Sequence, residues 1–217
     1  MNDILLLEDA LRAHLNRRCR RAYAHDLRNG LQGIFGGVDA LARAARTTLS
    51  GKPLNVPLEQ LTTFVQQAIA NHERGLERVL ESIAPEQQAP SPVSCRELLI
   101  ELARFLANDA ARNSVRIRQD FNDDLKTTTV ISRLRLIALG LLTDSIDGLA
   151  GGGEIRMAGQ TSEGRVHIEI IDTRTRPRTA SFVTDTIERL VAELSGRIES
   201  KQNESGGCTV RVELPAI

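Results

Sequence analysis

The segment Ala24-His25-Asp26-Leu27-Arg28-Asn29-Gly30-Leu31 holds the residue types best suited to chemistry in this chain. A neutral imidazole is a nucleophile when one ring nitrogen keeps its proton and the other presents a lone pair. A neighbouring carboxylate can fix that tautomer, and Asp26 is placed to do so for His25. Asn29 follows four residues after His25, one turn along the same face of a helix. A lone histidine on a charged helix would read as an ordinary solvent-facing side chain. The adjoining D-L-R-N string and the helical hairpin around it favour the functional reading. His14, His72 and His167 have no comparable neighbours and read as structural.

The elements that must position this segment follow from periodicity. From Asn2 to about Thr48 there is no proline, and Leu11, Leu15, Cys19 and Ala22, then Leu27, Leu31, Ile34, Val38, Leu41 and Ala45 recur at three- and four-residue steps. This predicts one long amphipathic helix. Ser50, Gly51, Lys52 and Pro53 break it, and a second run through Leu58, Leu61, Phe64, Val65, Ala68, Ile69, Leu76, Val79, Leu80 and Ile83 predicts the returning helix. A two-helix hairpin buries one side of each helix, so a second copy completing a dimeric four-helix bundle is expected.

The stretch Ala84 to Ser94, APEQQAPSPVS, has three prolines and suits a linker. The predicted organisation is a hairpin over 1–84, a linker over 85–94 and an α/β unit over 95–217. In the last, helices are predicted at Arg96 to about Asn113, Leu134 to Leu149 and about Phe182 to Leu194. Strands are predicted at Val115 to Phe121, Thr127 to Ile131, Glu154 to Met157, Val166 to Ile171, Arg197 to Ser200 and Thr209 to Leu214. Helices and mostly antiparallel strands would segregate into two layers, giving an α+β fold class.

Composition excludes several classes. The 217 residues are 41% apolar with formal net charge zero, which is enough to fold one large or two ordinary domains. No run of roughly 18 apolar residues occurs, and the N-terminus lacks the basic start and compact apolar core of a signal peptide, so a cytoplasmic, non-membrane protein is expected. Cys19, Cys95 and Cys208 lie far apart and read as small buried hydrophobes; no metal site is expected. Arg12, Arg17, Arg18, Arg20, Arg21 and Arg28 crowd a segment in which Asp26 is the one acid, which should attract an anionic partner. A neutral total charge and the absence of tryptophan speak against nucleic acid.

The segment around His25 resembles the H-box of the histidine kinase dimerisation and phosphoacceptor domain, and residues from about Ser94 to Pro215 resemble the ATP-binding half of the same family. The resemblance implies phosphoryl transfer at His25, with Asp26 as the base of any kinase reaction and Asn29 holding a water for phosphatase chemistry. Arg17, Arg18, Arg21 and Arg28 would draw in the acidic pocket of a receiver domain. Gly30 replaces the proline usual in that motif, so the helix is expected to run straight.

The resemblance is weakest at the nucleotide. Along the helix Leu134 to Asp147, the two asparagines of the family's N-box become Gly140 and Asp144. Asp172 survives where the family binds the adenine amino group, but Arg174 and Arg176 stand where glycines let the backbone approach the base. No glycine-rich segment precedes the last helix to receive phosphates. The pocket is expected to be blocked or rebuilt. The implied function is a dimeric histidine phosphotransferase acting between receiver domains of response regulators, with an upstream hybrid histidine kinase as a further candidate partner. This chain would bind no cofactor, the Mg2+ being the receiver's. A divergent kinase or phosphatase, or a non-catalytic pseudokinase that binds a response regulator, are the alternatives.

Overall fold

The structure, a computed structural model, describes residues 2–83, 89–121, 124–176, 178–179, 181–204 and 206–217. The elements in chain order are α1 (Asn2–Leu49), α2 (Leu58–Ile83), β1 (Ser91–Ser94), α3 (Cys95–Arg112), β2 (Val115–Phe121), β3 (Lys126–Thr129), α4 (Ile131–Gly148), β4 (Gly153–Ser162), β5 (Arg165–Asp172), α5 (Phe182–Glu193), β6 (Arg197–Gln202) and β7 (Cys208–Pro215). Among the described residues, no helix is long and apolar enough to cross a membrane.

The chain divides into two compact units, Cys19–Ala84 and a second formed by Met1–Arg18 with Pro85–Ile217. The first is a helical hairpin. Its helices approach closely because α1 offers glycine where α2 presents side chains. A Cβ on Gly30 would stand 2.7 Å from His72 Nδ1 and 3.1 Å from His72 Cα, and one on Gly33 would stand 3.2 Å from the Ala68 Cβ. A Cβ on Gly37 would overlap the Val65 side chain. Gly30 therefore has a packing reason, and α1 continues as helix through it. The hairpin still leaves large apolar side chains exposed: Leu31, Phe35 and Val38 on α1, and Phe64, Ile69 and Leu76 on α2.

The second unit is built on a mixed sheet of order β2-β4-β5-β7-β6 in which β2 and β4 run parallel and the other pairs antiparallel. Period-two burial sets its inner face: Val166, Ile168, Ile170 and Asp172 of β5 lie beside Cys208, Val210, Val212 and Leu214 of β7, all buried. The helices supply the facing layer through Leu98, Leu99, Leu102 and Leu106 of α3, Ile137, Leu142 and Ile146 of α4, and Ile187, Leu190 and Val191 of α5. Serine caps start two of these helices. Ser94 Oγ accepts the Glu97 amide at 3.3 Å, and Ser181 forms a reciprocal capping box with Thr184.

Three expectations need correcting. Ser91–Ser94, expected within a linker, is strand β1 and pairs antiparallel with β3, Pro92 opposite Thr128. The edge of a two-stranded sheet accommodates a proline that has no amide to donate. Residues 84–88 of the expected linker lie outside the described residues. The strand expected to reach Ile131 ends at Thr129, and α4 begins at Ile131, three residues before the predicted start. Finally, the start of α1, through Arg18, belongs to the α/β unit. Leu11 and Leu15 are fully buried, and Glu8 bridges Arg12 at 2.9 Å and Arg133 of α4 at 3.0 Å.

Candidate functional site

The helical spacing brings His25 and Asn29 together. Asn29 Nδ2 lies 3.0 Å from His25 Nδ1 and 3.5 Å from Nε2, so the amide reaches the ring edge between the two nitrogens. His25 and Asp26 are half-buried, whereas Asn29 and Arg28 are exposed. Arg17 and Arg21 are exposed as well. Arg18 is engaged within the chain: its guanidinium meets Asp109 of α3 at 2.7 Å and forks onto both carboxylate oxygens of Asp147 of α4 at 2.5 to 3.0 Å. The bonds to Asp147, joined by Asp109, raise this guanidinium above its already high range and keep it charged.

The residues expected at a nucleotide site converge in the α/β unit, where arginines have taken over their acidic groups. Asp172, only 2% exposed at the end of β5, accepts Arg174 Nε with both carboxylate oxygens at 2.9 Å and also accepts the Arg174 backbone N–H at 3.2 Å. Arg174 Nη2 goes on to donate to the Asp144 carbonyl and to Asp144 Oδ2, both at 3.1 Å. Burial opposes the charge on Arg174, and Asp172 and Asp144 outweigh it, so the guanidinium titrates above its ordinary range. Arg178 completes the cluster by donating to Asp144 Oδ2 at 2.6 Å and to the Leu141 carbonyl and Ser145 Oγ at 3.3 Å.

Glycines fit this arrangement. A Cβ on Gly148 would lie 2.5 Å from Arg174 Cζ, so the guanidinium rests on bare backbone. A Cβ on Gly140 would lie 2.8 Å from Ile187 Cδ1 and 3.8 Å from Leu15 Cδ1. A larger side chain there would have to displace the Ile187 side chain of α5, with Leu15 of α1 in contact beside it. Arg176 is exposed and outside the cluster. Among the described residues, the two carboxylates Asp172 and Asp144 are matched by the guanidinium groups of Arg174 and Arg178, a charge pattern unsuited to a metal-bound triphosphate. The residues present do not fit ATP and magnesium.

Sequence reasoning singled out Asp172, Asp144 and Arg174 but not the ion pairs joining them, and it missed Arg178, Gly148, Asp109 and Asp147. The run Arg174-Thr-Arg-Pro-Arg178 was a signal, since three arginines following a buried aspartate invite pairing. The three cysteines are buried and none forms a disulfide among the described residues, and burial pushes the Cys95 thiol up to about 12.

No protein-family model and no curated protein sequence matches the chain. Solved structures do match it by fold. Acinetobacter baumannii histidine kinase AdeS superposes with a TM-score of 0.52 at 12% identity, over 88% of this chain and 97% of that one. A histidine kinase from Burkholderia phymatum gives 0.53 at 15%, over 91% and 97%. Histidine kinase ThkA, solved in complex with response regulator protein TrrA, gives 0.53 at 15%, over 96% of this chain and 64% of that one. The chain, a helical hairpin and an α/β unit, is similar in fold to the core of these histidine kinases.

Proposed function

We propose that this protein is a histidine phosphotransferase of a two-component phosphorelay, accepting and donating a phosphoryl group at His25 without using ATP. The observation that carries the reading is the contrast between the two sites: His25, Asp26 and Asn29 stand on one accessible stretch of α1, whereas Arg174 and Arg178 occupy the acids of the nucleotide site. A chain that keeps the acceptor and closes the ATP pocket has to obtain its phosphoryl group from another protein.

In the reaction, an imidazole lone pair of His25 attacks the phosphorus of a receiver's phospho-aspartate. The N–P bond forms as the acyl-phosphate O–P bond breaks, and the electron pair leaves on the aspartate carboxylate. The reverse steps load a second receiver. Asp26 steadies the imidazole through the rise in positive charge. The exposed Arg17, Arg21 and Arg28 offset phosphoryl charge and steer an acidic receiver surface, while Arg18 serves inside the chain. Magnesium chemistry belongs to the receiver.

The exposed apolar face of the hairpin supports a homodimeric four-helix bundle, since Phe35 and Phe64 are 68% and 54% exposed. The α/β unit then acts as a docking wall that selects receivers. That ThkA is found with a response regulator supports a receiver as the partner class, and a cytoplasmic location follows from that partnership. The experiment is transfer from a purified phospho-receiver to the wild type and to His25→Ala. The reading predicts acid-labile label on the wild type alone. A His25→Ala protein that retains full cellular function would favour the pseudokinase that merely binds a regulator.

A further inference from the structure

Where the start of α1 packs on the α/β unit, one carboxylate serves two guanidinium groups. Glu8 Oε1 accepts Arg12 Nη2 at 2.9 Å, and Glu8 Oε2 accepts Arg133 Nε at 3.0 Å. The cluster is nearly closed: the Arg12 and Glu8 side chains are 9% and 11% exposed, and that of Arg133 is 22% exposed. It therefore buries a net positive charge. Arg12 Nε is itself buried and has no partner among the described residues. In the fork of a guanidinium group, Nε and Nη2 donate side by side along one edge, so the unpaired donor faces the same side as the bond to Glu8. Arg133 stands in the first turn of α4. The N-cap of that helix, Val130, offers no side-chain acceptor and its first turn holds no acid, so the positive end of the helix adds to the field.

We propose that Arg12, Arg133 and the N-terminus of α4 form a binding site for a small tetrahedral oxyanion, inorganic phosphate, with Glu8 as its built-in competitor. The donor count carries the assignment. Three N–H groups meet the two oxygens of Glu8, whereas phosphate brings an oxygen for each donor of the Arg12 edge and another for Arg133. The burial of Arg12 fits a free ion better than a large phosphorylated molecule. Entry is past Arg133, the most exposed member, and requires Glu8 to turn out to solvent, so binding releases the tie between the start of α1 and α4. No bond to phosphorus forms or breaks, and the site is independent of phosphotransfer at His25.

The test follows thermal unfolding of the full chain by circular dichroism as inorganic phosphate replaces chloride at constant pH and ionic strength. Phosphate should stabilise the wild type with an apparent Kd in the millimolar range, because it has to displace Glu8. Glu8→Gln removes the competing charge and should bind about tenfold more tightly. Arg12→Lys keeps the charge, loses the two-donor edge and should bind about tenfold more weakly than the wild type. Glycerol 3-phosphate should bind more weakly than phosphate to each protein. Phosphate that stabilises the wild type and Glu8→Gln no more than chloride does overturns the proposal, and so does an Arg12→Lys titration that matches the wild type. Should Glu8→Gln fail to fold, the wild type against Arg12→Lys decides the question. Tighter binding of glycerol 3-phosphate than of phosphate would overturn the assignment to the free ion.

Discussion

Removing the side chain of Arg174 should destabilise the α/β unit more than almost any other single change outside its apolar core. The Arg174→Ala variant leaves the Asp172 carboxylate at 2% exposure with one remaining described partner, the residue-174 backbone N–H at 3.2 Å. Breaking a buried pair by deleting one member costs about 3–5 kcal/mol, because the other charge is left without compensation. The second acid adds little, since Asp144 is partly exposed and keeps Arg178 at 2.6 Å. With a urea dependence of about 2 kcal/mol per molar, the midpoint should fall by about 1.5–2.5 M, measured by circular dichroism. The double variant Asp172→Asn with Arg174→Met removes both charges and should recover most of that loss. Neither variant should bind ATP, because Leu15 and Ile187 still cover Gly140. A single variant that loses less than about 1 kcal/mol, or one that gains micromolar ATP affinity, would refute the reasoning that Arg174 compensates a buried acid in a closed pocket.

Gly30→Ala should destabilise the hairpin by about 1–3 kcal/mol in thermal unfolding, although alanine is the better helix former, because its Cβ meets His72 at 2.7 Å and the backbone behind it at 3.1 Å. Phe35→Glu, at a position 68% exposed, should leave helix content unchanged in circular dichroism and convert a dimer to a monomer in sedimentation. Cys95, fully buried with its thiol pushed up to about 12, should resist alkylation at pH 8 in the native protein and react at the rate of a free thiol once urea unfolds it.

The long hairpin and the period-two strands β5 and β7 were legible because one residue type recurs at one spacing over many positions. The spacing of Leu11 and Leu15 told that a stripe is buried but not by what. The same leucines fit a hairpin partner or the α/β unit, and only the tertiary structure places them with the latter. Strand β1 escaped notice because Pro90 and Pro92 resemble linker residues, and the pairing that makes Ser91–Ser94 a strand comes from Lys126–Thr129, more than thirty residues away. At the nucleotide site the bulk of Arg174 was visible, yet its partners were not, since the Asp172 and Asp144 pairs join α4 to the segment after β5. At His25 the i to i+4 step to Asn29 was in the sequence; the amide on the ring in place of a water was not.

The most direct measurement of the central claim mixes the purified protein with a phosphorylated receiver domain in one tube and with radiolabelled ATP and magnesium in another, and follows acid-labile label at His25. The account predicts label from the receiver, none from ATP, and none from either source in His25→Ala. Label from ATP on the wild type would contradict it and restore a kinase.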